Sequence, residues 1–146
     1  MPQDEDPVVS PSGWVADQAR LYAESDGAEG GDFKGSPCLL LDYRGRRTGQ
    51  WRRTVLIYGR DGDDCLIVAS KGGADEHPLW YVNLADNPDV RVQVGAERFA
   101  AHAETLPADE KARVWPGLVD VYPPYADYQL KTERDIPVVR LRRVAG

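Results

Sequence analysis

Between residues 45 and 53 the chain reads GRRTGQWRR, with two glycines able to make a tight turn, arginines on both sides and a threonine hydroxyl between them. A guanidinium fork donates paired, charge-assisted hydrogen bonds to phosphate or carboxylate, and backbone donors in a glycine-rich turn add to such a site. The segment reads either as an anion site or as a hairpin turn whose arginines are solvated. A second segment, Ser70-Lys71-Gly72-Gly73, ends an apolar run. Glycines there let a ligand approach the backbone, and the lysine adds a point charge. It is no Walker A loop, because the GxxxxGK order is absent and no helix follows directly. A third group is aromatic: Trp80 and Tyr81 are adjacent, and Tyr122, Tyr125 and Tyr128 recur every third residue. That spacing sets the three tyrosines on one side of a helical turn, with faces for stacking and phenols able to donate a proton. Core packing is the competing reading, equally strong for Trp80 and Trp115.

Other chemistries find little support. His77 and His102 lack metal-ligand spacing, and no Ser, His and Asp set sits in a nucleophile elbow. Cys38 and Cys65 lie in apolar surroundings without CxxC spacing and read as small buried side chains on strands. The net charge of −6 is unevenly placed. Residues 1 to 33 hold eight acids and one base, and the remaining 17 bases and 16 acids leave the body near neutrality. Within that body, Arg44 to Lys71 carries seven bases against three acids. One basic loop in an acidic protein is too narrow a face for nucleic acid. No run of 18 apolar residues occurs and the N-terminus lacks a secretory layout, so a cytoplasmic protein is expected.

These residues need a scaffold, and 146 residues at 42% apolar content suit one domain with one core. Residues 1–12, rich in Asp, Glu and Pro, read as a mobile acidic tail, and 13–146 as a single domain. A short amphipathic helix is expected at 13–24, with a flexible connector at 27–37. Strands are expected at 38–44, 51–59, 64–70, 89–95, 97–105 and 136–142, where short branched and aromatic runs alternate with Gly and Asp turn signals. Val90, Val92 and Val94 alternate with Arg91 and Gln93, the period of a strand with one buried face. A helix at 77–88 stops at Asn87 and Pro88. Another begins after Pro107, with Asp109 and Glu110 complementing its dipole, and runs to about Val121, with a disturbance expected at Pro116, which cannot donate to residue 112. VYPPYADYQLK reads as an aromatic loop. About six mostly antiparallel strands with three to four helices make a small mainly β barrel of the α+β class.

Taken in order, PCLLLDYRGRRTGQWRR, DGDDCLIVASKGGADEHPLWYVNLADNPDVRVQV and VYPPYADYQLKTERDIPVV resemble the deazaflavin-dependent nitroreductase family over residues 34 to 141. The resemblance implies a split β-barrel that binds coenzyme F-420, whose phosphate and glutamate tail lie below a deazaflavin ring. It implies that Arg46, Arg47, Thr48 and Arg52, with Lys71, hold the phosphate and tail. Val55, Leu56, Ile57, Val68, Ala69 and Ser70 would line the ring slot, and Leu79, Trp80, Tyr81, Asn83 and Tyr125 would enclose it. The implied reaction is hydride transfer from the reduced cofactor to a small electron-poor acceptor such as a quinone, enone or nitroaromatic. Tyr122, Tyr125 and Tyr128 would shape the acceptor side, with a phenol or Ser70 polarising the acceptor or relaying a proton.

The chain departs from the family pattern at Arg47, where lysine is common, at Val55, where proline is, and at Ile57, an aromatic position. These changes bear on the acceptor more than on the cofactor. Two alternatives share the barrel: a non-catalytic carrier of a cofactor, haem or lipid-like ligand, and an FMN-dependent oxidoreductase. Both a monomer and a homodimer are compatible with the sequence. The acidic leader disfavours anionic lipid, so membrane contact is at most transient.

Overall fold

The computed structural model describes residues 8–9, 13–25, 32–33 and 36–144. Most of the expected tail and connector lies outside these residues. The elements are β1 (Val8–Val9), α1 (Gly13–Glu24), β2 (Asp32–Phe33), β3 (Ser36–Arg44), β4 (Trp51–Asp61), β5 (Asp64–Val68), α2 (Leu79–Asp86), β6 (Asp89–Val94), β7 (Glu97–Thr105), α3 (Ala108–Val121), α4 (Pro124–Lys131) and β8 (Val138–Arg143). A 3-10 turn, Lys71–Gly73, links β5 to the segment before α2.

Six strands form a closed antiparallel barrel in the order β4-β5-β8-β7-β6-β3, sealed by pairing of β3 with β4. Closure leaves no long unpaired edge among these strands. Leu39, Leu41, Ile67, Val139 and Leu141 are fully buried in its centre. Each such side chain contributes roughly 1.5 to 3 kcal/mol on leaving water. Cys38 and Cys65 are buried free thiols on β3 and β5, as the apolar context suggests. A second cluster packs α3 and α4 over one end through Val114, Leu118 and Tyr125, and a third seats Ala19 and Tyr22 of α1 on Cys38, Leu40 and Val55.

Several expectations need correction. Val8 and Val9, assigned to a mobile tail, pair in parallel with Arg52 and Arg53. The aromatic loop is helix α4, because Pro124 at its first turn needs no backbone donor there and Pro123 precedes it as the cap. Ala69 and Ser70 leave β5 to enter the 3-10 turn, and β8 begins only after Pro137. Gln93 is buried beside Val92 rather than facing water, its Nε2 donating to the Gly95 carbonyl at 2.9 Å. The α3 helix continues through Pro116 to Val121.

One feature of the ladder creates the site. β4 pairs with β5 only from Tyr58↔Ile67 to Asp61↔Asp64. Val55, Leu56 and Ile57 on β4, and Val68 and Ser70 leading out of β5, lie beyond that register and together line a cavity. Among the described residues no helix is long and apolar enough to cross a membrane.

Candidate cofactor and acceptor site

The cavity where β4 and β5 part company has a volume of about 380 Å³. Its walls are Val55, Leu56, Ile57, Val68, Ser70 and Lys71 from the barrel end, Pro78 and Trp80 from the start of α2, and Tyr122, Tyr125 and Tyr128 beside α3 and α4. Gln18 of α1 and Cys38 of β3 complete it. The tyrosine rings form one cluster: the Tyr122 and Tyr125 centroids are 5.0 Å apart, and the Tyr122 and Tyr128 hydroxyls 3.4 Å apart. The Tyr128 hydroxyl and partial burial push the Tyr122 phenol up to about 12. Burial, then the neighbouring Tyr122, raises Tyr125 further. Both phenols therefore stay protonated at neutral pH and present O–H donors.

Lys71 sits in the left-handed region at φ 47, the one non-glycine residue with positive φ among the described residues. A lysine held there marks a turn fixed by its surroundings. Its ammonium lies 3.6 Å from the exposed Glu76 carboxylate.

A second cavity, about 280 Å³, is lined by Gly45, Arg46, Arg47, Thr48, Arg52, Leu79 and Asn83. The start of α2 divides the two, with Leu79 on this side and Pro78 and Trp80 on the other. The turn is closed by Gly45 N–H donating to the Gln50 carbonyl and Gly49 N–H to the Gly45 carbonyl, each at 2.8 Å. Asn83 latches it to α2: its Oδ1 accepts from the Arg46 N–H at 2.9 Å, and its Nδ2 donates to the Leu79 carbonyl at 3.0 Å.

The arginines sort into two sets. Arg53 forks onto Asp42 at 2.7 and 3.0 Å, Arg91 lies 3.5 Å from the same carboxylate, and Arg44 and Arg91 stack over Trp51. Arg46, Arg47 and Arg52 face the cavity, and among the described residues no carboxylate lies within ion-pair distance of their guanidinium groups. Three positive forks around one concavity, without a counter-charge among the described residues, have the chemistry to receive an anion.

All the expected site residues except Ala69 and Tyr81 line one of the two cavities. The Ala69 side chain is wholly in the core, and its N–H and C=O bond Pro137 and Arg134. Tyr81 leans on the core instead, with its hydroxyl 2.9 Å from Thr105 Oγ1. Asn83 also lines the arginine cavity, and its carboxamide holds the turn through one acceptor and one donor contact. Gln18, Cys38 and Pro78 were not foreseen. Cys38 reads as core from its neighbours, and nothing in the local pattern tells that α1 folds over this cavity.

A six-stranded barrel carrying an arginine-lined cavity next to an aromatic, apolar one has the charge and polarity that an elongated ligand with an anionic end and a flat ring would need. Its relatives make that specific. The model of the F420H(2)-dependent quinone reductase family matches residues 14–143, and the chain belongs to that family. It is similar to an F420H(2)-dependent quinone reductase of Mycobacterium tuberculosis, 45% identical over 127 residues, covering 84% of this chain and 85% of that one. Among solved structures, an F420-H2 dependent reductase shares 38% identity with a TM-score of 0.69, covering 73% of this chain and 94% of its own. Another, described as a domain-swapped dimer, shares 36% identity with a TM-score of 0.71 over 91% of this chain and 100% of its own.

Proposed function

We propose that this protein is an oxidoreductase that uses reduced coenzyme F-420 to reduce a quinone-like acceptor in the cytoplasm. The observation that carries the reading is the set of three guanidinium groups, Arg46, Arg47 and Arg52, left without a described carboxylate beside an aromatic cavity. The cofactor's phosphate and glutamate tail match the arginine-lined cavity in charge, and its ring matches the aromatic cavity in polarity, so the residues present fit the group. Arg46, Arg47 and Arg52 would hold the tail, with Lys71 at the ring end. Val55, Leu56, Ile57 and Val68 would flank the ring, and Trp80 would close over it.

When bound, the reduced deazaflavin supplies the hydride, which is chemistry no side chain here can provide. The protein's own part is to orient, to exclude water and to place donors. Tyr122 and Tyr125 remain protonated phenols at neutral pH, suited to hydrogen-bonding an acceptor carbonyl as negative charge develops on its oxygen. The Ser70 hydroxyl, which lines the same cavity, is the other candidate donor. A related structure described as a domain-swapped dimer supports a homodimer as an accessible state, which light scattering on the purified protein reads directly.

The test is oxidation of reduced F-420 followed spectroscopically against quinones, enones and nitroaromatics. Turnover is expected, with quinones the better acceptors. Binding of F-420 without its oxidation by any acceptor in the panel would leave a carrier, not an enzyme.

A further inference from the structure

Arg134 lines neither cavity, yet its guanidinium is spent on the turn that enters the aromatic one. Nη2 donates to the Ser70 carbonyl at 2.9 Å, Nη1 to the Ala69 carbonyl at 3.2 Å, and Nε to the Ala74 carbonyl at 2.8 Å. Nη1 also lies 3.1 Å from His77 Nδ1. Two residues earlier, Thr132 Oγ1 donates to Asp75 Oδ1 at 2.8 Å and accepts the Arg134 N–H at 3.3 Å. The stretch 132–134 thus grips residues 69–77 along their length. On the other side of the turn, a Cβ on Gly73 would meet the Tyr128 carbonyl of α4 at 2.9 Å. Between these two supports lies Lys71, at a positive φ that an unsupported lysine rarely adopts.

We propose that Arg134 is a positioning residue of the cofactor site: by joining the carbonyls of Ala69, Ser70 and Ala74 it holds the turn in the form that sets Lys71 in the cavity wall. The inference rests on the reading that this cavity takes the deazaflavin. A guanidinium suits the task because its five N–H groups spread in a fixed plane and reach three separate acceptors. A lysine ammonium keeps the charge but donates from a single point. The same grip joins the turn to the segment that follows α4, the helix that carries Tyr125 and Tyr128.

The test is a double-mutant cycle on the purified protein, with Arg134→Lys and Lys71→Ala made singly and together. F-420 affinity is read from the quenching of its fluorescence, and thermal melts monitor the fold. Lys71→Ala is expected to weaken binding by about tenfold, the order of one charge-assisted contact. Arg134→Lys is expected to do the same in the wild-type background but to change affinity less than about twofold when Lys71 is already alanine. Equal losses in the two backgrounds, or no loss in the first, overturn the proposal. If Lys71→Ala and Arg52→Ala both leave F-420 affinity unchanged, the cofactor reading itself fails. Should Arg134→Lys not fold, Arg134→Gln runs the same cycle, and failure of both to fold makes the fork a requirement of the whole barrel and overturns the local role.

Discussion

Asn83→Ala isolates the latch between the basic turn and α2. Asn83 is 3% exposed and makes two hydrogen bonds, to the Arg46 N–H and the Leu79 carbonyl. Each contributes about 0.5 to 1.5 kcal/mol net, so their loss destabilises the fold by roughly 1 to 3 kcal/mol. In a chain of this length that lowers the melting temperature by several degrees. The larger consequence is for binding. The cross-turn bonds of Gly45 and Gly49 survive, but the turn is no longer fixed to α2, and an anion must order it on arrival. Restricting even one residue's backbone costs about 1 to 2 kcal/mol, which corresponds to roughly a tenfold weaker F-420 affinity. Fluorescence titration of the variant, below its melting temperature, reads this. An Asn83→Ala protein that melts lower yet binds F-420 as wild type does would refute the latch as part of the anion site.

Arg52→Ala should weaken F-420 binding at least about tenfold and flatten its dependence on salt, because a hydrogen bond to a charged group contributes ~1.5 to 3 kcal/mol. Arg53→Ala, whose guanidinium is engaged by Asp42, should lower stability while leaving affinity within about twofold. Gly73→Ala combines φ +84 with a 2.9 Å approach to a backbone carbonyl, whereas Gly49 has φ +70 and open space around it. Thermal melts should show Gly73→Ala clearly the more destabilising, with Gly49→Ala limited to a strain of about 1 to 2 kcal/mol. Tyr128→Phe removes the hydroxyl that does most to raise the Tyr122 phenol, so the Tyr122 titration should fall from about 12 toward 10. Ultraviolet difference spectra, with Tyr122→Phe as the assignment control, follow that ionisation.

The barrel was legible because strand signals are local. Period-two runs and short Gly and Asp turns place β3 through β7 within a few residues of where they lie. The misread segment is PPYADY, where two prolines suggest a break although the first turn of a helix has no use for their missing donors. The site was legible as composition but not as arrangement. Arg52 and Arg53 are adjacent and chemically identical in the sequence. What separates them is register: Arg53 faces Asp42 across β3 and β4, while Arg52 faces Tyr43. Arg134, and the bond by which Asn83 holds the basic turn, were not legible for the same reason, since each acts on a backbone group dozens of residues away. Gln18 enters the cavity only because Ala19 and Tyr22 anchor α1 on the barrel.

The most direct measurement compares two ligands on one protein: coenzyme F-420 and the same deazaflavin ring lacking its phosphate and glutamate tail. With the tail held by Arg46, Arg47 and Arg52, wild type should bind F-420 at least about tenfold more tightly at low salt, and that preference should vanish when the three arginines are replaced by alanine. Equal affinity for the two ligands in wild type, or a preference that survives the triple replacement, would contradict the account. So would tight binding of FMN with none of F-420.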